Sequence, residues 1–275
     1  MNRLFVANKP SGTSSNRYLR EIKKKYGVKK AGYSGTLDPF ASGCLIVAFG
    51  QYTKLFRFLK KEPKSYEATL HLGAKSETLD NEKIEYIDEM EPFTQERIEE
   101  VLKSFIGEIE YLPPKYSAKK INGKKAYNLA RANQEFEMKK IKSTIYGIEL
   151  LSYNHPFVTF DITISEGGYI RSIAYLIAQK LGCEGSLSAL YRSKEGDFAY
   201  EDEKCLNPLS YLKTKENRYK KEISDIILGK KLQIENFEIK EEGEYHIVTD
   251  QYFSIIKIED QKVEYILNKI RLDEC

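Results

Sequence analysis

A chain of 275 residues that is 41 % apolar and 31 % charged can bury a sizeable core, as one large domain or one domain with a small appendage. No apolar stretch approaches the roughly eighteen residues that would span a bilayer. Three scattered histidines and four cysteines without a Cys-x-x-Cys pair argue against a metal knuckle, a disulfide framework and Ser-His-Asp chemistry, so no metal is expected. The net charge of +3 conceals a segregation. Residues 1–64 hold 14 Lys/Arg against 3 Asp/Glu, and residues 112–142 hold 9 against 2, whereas residues 77–110 hold 3 against 12 and residues 236–275 hold 5 against 10. Local basic surfaces of this kind attract polyanions even on a nearly neutral chain.

In chain order, residues 4–7 form a short apolar run that reads as a strand ending at the Lys9-Pro10-Ser11-Gly12 turn. That run is too short for a signal-peptide core, which makes the cytoplasm the expected location. Ser14 or Ser15 is placed to cap a helix with apolar Leu19, Ile22 and Tyr26, closed by Gly27 and carrying Arg17, Arg20, Lys23, Lys24 and Lys25 on its other faces. A glycine-rich loop over 32–39 precedes an apolar run at 45–49 that reads as a buried strand.

Tyr66, Ala68, Leu70 and Leu72 alternate with Glu67, Thr69 and His71, the pattern of a half-buried strand. Thr94 opens a helix with Ile98, Val101, Leu102 and Phe105 at helical spacing. Residues 115–131 form a basic, tyrosine-bearing loop and short helix. A second alternating strand covers 158–165, and after Gly167-Gly168 a helix carries Ile170, Ile173, Ala174, Ile177 and Leu181 up to Gly182. From 237 onward short β-like runs recur at 245–248, 253–258 and 263–267. The pattern predicts an α+β fold, a mixed and mainly antiparallel sheet with flanking helices. It divides into a domain over 1–231 and a small C-terminal β module over 232–275.

Two stretches carry chemistry. In Gly35-Thr36-Leu37-Asp38-Pro39 the proline pushes Asp38 out of helical geometry and the glycine allows close approach, so the carboxylate either meets a ligand or initiates a turn. In Gly167-Gly168-Tyr169-Ile170-Arg171-Ser172 the arginine falls in the first turn of a helix, the end that favours anions. A carboxylate or phosphate partner would explain it; a plain surface arginine is the alternative. Tyr66 reads equally as a core tyrosine. Lys115, Lys119, Lys120 and Lys124 interleave with Tyr116 and Tyr127, which suits phosphates and stacked bases.

Taken in order, these stretches resemble the TruB-type pseudouridine synthases. The resemblance rests on Lys9-Pro10-x-Gly12-x-x-Ser15 and Gly32-x-x-Gly35-x-Leu37-Asp38-Pro39-x-Ala41-x-Gly43-x-Leu45, then Lys64-x-Tyr66 with Leu72-Gly73. It continues through Tyr116-Ser117-Ala118-x-Lys120-x-x-Gly123-x-x-Ala126-Tyr127-x-x-Ala130-Arg131, Gly168-Tyr169-Ile170-Arg171-Ser172 and Leu190-x-Arg192-x-x-x-Gly196. It spans roughly residues 4–200.

What the resemblance implies is a cofactor-free isomerase that binds the T-arm of tRNA and converts uridine 55 to pseudouridine. The catalytic aspartate falls on Asp38, acting by attack at C1′, attack at C6 or removal of the C2′ proton. The tyrosine packed on the target base falls on Tyr66, the arginine paired with the aspartate on Arg171, and the apolar pocket residue on Leu190. Lys9 and Tyr169 are further expected substrate contacts, and Lys23, Lys24, Lys115, Lys119, Lys120 and Lys124 are expected on the RNA backbone. Bacterial members usually carry histidine where this chain has Tyr33, so the contact to the flipped base would differ. The partner expected is tRNA, with no membrane, and the protein is expected to be a monomer. The alternatives are a tRNA-binding folding chaperone with little catalysis, and a family member that modifies another RNA, for instance within a guide-RNA complex.

Overall fold

In the computed structural model of the chain, which describes residues 1–121 and 123–273, one nine-stranded sheet dominates. Its main strands in chain order are β1 (Arg3–Lys9), β2 (Ala31–Ser34), β3 (Ser42–Phe49), β4 (Lys64–Leu72), β5 (Gly107–Tyr111), β6 (Ile141–Asn154), β7 (Phe157–Ile164) and β8 (Gly185–Glu195). The spatial order is β1-β3-β8-β4-β7-β6-β5, with β2 also on β3 and the short Phe198–Ala199 strand on β8. Every pairing is antiparallel except β8 with β3, which is parallel.

The helices follow from their end signals. In α1 (Ser15–Lys25) the Ser14 hydroxyl accepts the Arg17 N–H at 3.3 Å, and Lys23, Lys24 and Lys25 fill the last turn, where the macrodipole favours cations. Thr94 caps α2 (Gln95–Lys103) in the same way. After the short α3 (Ala126–Arg131), α4 (Ile170–Leu181) ends at Gly182, whose φ of 90° suits a glycine. The apolar faces of α2 and α4, with Ile98, Val101, Ile173 and Ile177, pack on Ala68, Leu70, Phe160 and Ile162 of β4 and β7.

The strands β1 and β3 are buried on both faces. Phe5, Ala7, Leu45 and Val47 pack with Ile22 of α1. Leu4, Val6, Ile46 and Ala48 pack instead with Phe253, Ile255 and Ile270 of a second sheet. That sheet is built from β9 (Gly243–Val248), β10 (Tyr252–Glu259) and β11 (Lys262–Arg271). A short strand, Lys215–Glu216, joins it in parallel with β9, so the sheet recruits chain from before residue 232, where the C-terminal module was expected to begin.

Four of the main strands were not expected. Residues 31–34, largely read as a glycine-rich loop, pair with β3; residues 107–111 form the sheet edge; residues 141–154 form the long β6 beside it; and β8 lies at the sheet centre. Among the described residues Cys44 and Cys183 are free thiols.

Candidate active site

Between β2 and β3 the chain passes through residues 35–41, and α1 holds this loop from one side. Ser15 donates its hydroxyl to the Leu37 carbonyl at 2.9 Å and accepts the Leu37 N–H at 3.0 Å. The Ser11 hydroxyl donates to the Phe40 carbonyl at 2.7 Å, and the Gly12 N–H to the Pro39 carbonyl at 2.8 Å. Leu37 and Phe40 turn into the core on either side of Asp38. With its neighbours anchored in this way, Asp38 is presented by a rigid loop, which is what a precisely placed reactive group needs.

Arg171 meets it from the first turn of α4. Its Nη2 lies 2.8 Å from Asp38 Oδ2, and its Nη1 lies 3.2 Å from Asp80 Oδ2. Nη1 also donates to the Thr78 carbonyl at 2.7 Å and Nη2 to the Tyr116 carbonyl at 2.9 Å. Asp80 is itself oriented, its Oδ1 accepting from the Thr78 hydroxyl at 2.5 Å and the Glu82 N–H at 3.0 Å. The Arg171 side chain is 3 % exposed, so the surface-arginine reading is overturned. An arginine at the unfavourable end of a helix is explained by two carboxylates and two carbonyls around its planar fork.

The Asp38 side chain is 36 % exposed, yet burial by the surrounding protein pushes its carboxyl above the ordinary value of 3.8. Arg171 and Lys9 oppose that rise and Asp80 adds to it. No partner among the described residues takes Asp38 Oδ1. One oxygen is therefore held and the other is available to attack carbon or accept a proton.

Two cavities open on this pair. One of about 250 Å³ is lined by Asp38, Arg171, Tyr66, Leu190 and Tyr169, with Lys64 and Arg192. The other, of about 300 Å³, is lined by Asp38, Arg171, Tyr33, Tyr116, Lys125, Tyr127 and Arg131, together with Ser14 and Asn16 from the start of α1. The first has the aromatic and apolar walls that suit a base removed from its stack, and the second the mixture of cations and aromatics that suits the strand around it. Among the described residues no group of three or more His, Cys, Asp or Glu side chains is arranged to hold a metal ion.

Residues 23–170 match the family described as TruB family pseudouridylate synthase (N terminal domain). The chain is 56 % identical over 270 residues to a protein of Sulfurovum sp. (strain NBC37-1) named tRNA pseudouridine synthase B, covering 98 % of both. It is 52 % identical over 270 residues to a protein of that name from Campylobacter concisus (strain 13826), covering 98 % of this chain and 99 % of that one. This chain belongs to the TruB family of pseudouridylate synthases. Among solved structures, the crystal structure of a Cbf5-Nop10-Gar1 complex matches 98 % of this chain and 84 % of that one, with a TM-score of 0.67 at 19 % identity, a likeness of fold.

The TruB fold brings together most of the residues expected from sequence and separates a few. Asp38, Arg171, Tyr66, Leu190 and Tyr169 share one cavity, and Tyr33 lines the other. The Tyr169 N–H donates to the Tyr111 hydroxyl at 3.0 Å, which pins the start of α4 to the sheet edge. Lys9 lines neither cavity. It is fully buried, its amine donates to the carbonyls of Pro10, Thr13 and Pro39, and burial pulls it down to about 8. It supports the Asp38 loop from beneath.

Lys115, Lys119, Lys120 and Lys124 lie on the segment that carries Tyr116 and Tyr127 beside the second cavity, but the cations of this region that line it with Arg171 are Lys125 and Arg131. Lys23 and Lys24 sit at the far end of α1, about 15 Å along the helix from Ser14. Asp80, Arg192 and Glu195 were missed as site residues. The polar run Ser76-Glu77-Thr78-Leu79-Asp80, directly after a half-buried strand, was the available signal for Asp80.

Proposed function

We propose that this pseudouridylate synthase isomerises uridine 55 in the T-arm of tRNA, with Asp38 as the catalytic carboxylate. The observation that carries this reading is the Asp38–Arg171 pair, at 2.8 Å, placed where two cavities meet. The name borne by relatives at 50 % identity and above supports tRNA as the substrate.

The reaction breaks the N1–C1′ bond, turns the uracil and joins C5 to C1′; the proton leaving C5 is balanced by one gained at N1. Nothing is oxidised or reduced and no group enters or leaves, so the reading calls for no cofactor. The target base leaves its stack at a cost of a few kcal/mol and is received between Tyr66 and Leu190, with Tyr169 at the cavity wall. Tyr33 stacks beside the nucleotide from the second cavity. Arg171 keeps Asp38 oriented and favours its ionised form against the desolvation that raises its pKa.

Lysines of the 115–125 segment meet the backbone phosphates, supplemented by Lys23 and Lys24 on the flank of α1. Residues 1–231 act as the catalytic unit, while the acidic β module from 232 contributes no large RNA surface. The protein works as a monomer in the cytoplasm. Pseudouridine mapping on an unmodified tRNA transcript, with wild type beside Asp38→Asn, tests the reading. Modification at position 55 that disappears in the variant is the expected result. Binding without isomerisation by wild type would instead leave a tRNA-binding folding role.

A further inference from the structure

Behind Tyr66 lies a second buried arginine that the reaction as described does not use. Arg192 on β8 is the register partner of Tyr66 on β4 and, on its other side, of Gly43 on β3. Its Nε donates to the Cys44 carbonyl at 2.9 Å and its Nη2 to the Gly35 carbonyl at 2.8 Å. Nη2 also lies 3.1 Å from Glu195 Oε2. The two side chains are 1 % and 0 % exposed.

Glu195 is shared. Its Oε1 lies 3.3 Å from the Lys64 amine and accepts the Ser34 hydroxyl at 3.4 Å. A Cβ on Gly35 would come within 2.7 Å of that carboxylate, and one on Gly43 within 2.3 Å of the Arg192 carbonyl. Both glycines also have positive φ, 64° and 104°. The loop that carries Asp38 therefore leaves and rejoins the sheet at two residues pressed against the Arg192–Glu195 unit. The Tyr66 hydroxyl faces the same guanidinium.

We propose that Arg192, locked by Glu195 and Lys64, is a positioning residue for the isomerisation. It fixes the Asp38 loop and the Tyr66 ring relative to each other. The inference rests on the reading that Asp38 and Tyr66 meet the target nucleoside. Buried ion pairs are a weak source of stability against apolar groups of the same volume. This one directs its donors to the root of the Asp38 loop, where geometry rather than cohesion is at stake. A guanidinium fork reaches two carbonyls and a carboxylate at once, which a lysine ammonium on a flexible stem does not reproduce.

The test compares Glu195→Gln, which keeps shape and removes charge, with Arg192→Lys and Arg192→Gln. Single-turnover rates, tRNA dissociation constants and thermal midpoints are measured together. The expected result is a rate lowered on the order of 100-fold in Arg192→Gln, the scale of a 1 Å misplacement. Partial recovery in Arg192→Lys and an intermediate loss in Glu195→Gln are also expected, with tRNA affinity within about threefold of wild type. Wild-type rates in folded Glu195→Gln and Arg192→Lys would overturn the proposal. So would losses of rate and affinity in proportion to lost stability, or failure of all three variants to fold, since the unit would then be purely structural. Asp38→Asn runs alongside: if it keeps the wild-type rate, the functional reading itself fails, whatever Arg192 does.

Discussion

Two buried arginines stand on either side of Tyr66's cavity, and they differ in what they leave open. Arg171 binds Asp38 and Asp80, and the Asp38 side chain keeps 36 % of its surface accessible. Arg192 binds a carboxylate with no exposure at all and two backbone carbonyls. The pairing chemistry is the same; access is not. A carboxylate reachable from two cavities can act on a ligand, whereas a sealed one can act only on the protein around it.

The contrast is most easily broken at Asp38. Asp38→Asn keeps shape and removes the charge, and a loss of about 10²–10⁴-fold or more in single-turnover rate is expected, with tRNA still bound. A surviving rate would mean that the open pair is not the reactive one. Next in size is Arg171→Ala. It leaves two carboxylates facing each other, so turnover should fall on the order of 100-fold and urea unfolding should show a loss of about 3–5 kcal/mol. Side-by-side binding measurements decide its role, because equal losses of affinity and rate would make Arg171 a phosphate contact.

A smaller effect is expected from neutralising Lys115, Lys119, Lys120 and Lys124 together. Affinity should weaken, and the slope of log affinity against log salt should flatten by roughly 0.7–0.9 for each phosphate that is no longer neutralised. The same measurement on Lys23 and Lys24 should give the lesser change, since they lie farther from the cavities. Finally, the pH profile sharpens the role of access. Burial raises the Asp38 carboxyl, so its reactive, ionised form is lost as pH falls through a value above 3.8. The acid limb of the single-turnover rate should therefore lie above the ordinary carboxyl range. A rate flat down to that range would exclude Asp38 as the titrating group.

The open pair was largely legible in the sequence and the sealed one was not. Asp38 stood out because proline follows it in a glycine loop, and Arg171 because a cation opens its helix. Helices α1, α2 and α4 were readable from their caps and stops. Strand β8 escaped because its register shifts twice, between Leu187 and Ala189 and again between Arg192 and Lys194, and each shift interrupts the alternation that marks a strand. With that strand hidden, Arg192 entered only as a residue of the Leu190-x-Arg192 motif and Glu195 not at all. Asp80 escaped for another reason: its partnership with Arg171 joins residues 91 apart, and only the folded chain brings them together.

The packing of the second sheet bears on how this protein can be altered. Phe253, Ile255 and Ile270 share one apolar cluster with Leu4, Val6 and Ile46, the back of the two strands from which the Asp38 loop hangs. The C-terminal strands are a wall behind the sheet that carries the Asp38 loop rather than a tool mounted on it. Cutting them away would expose a contiguous oily surface, and a graft from a relative would have to match that surface residue for residue. Engineering of RNA preference has more freedom in the basic segment around Tyr116 and Tyr127, which borders a cavity and carries no such wall.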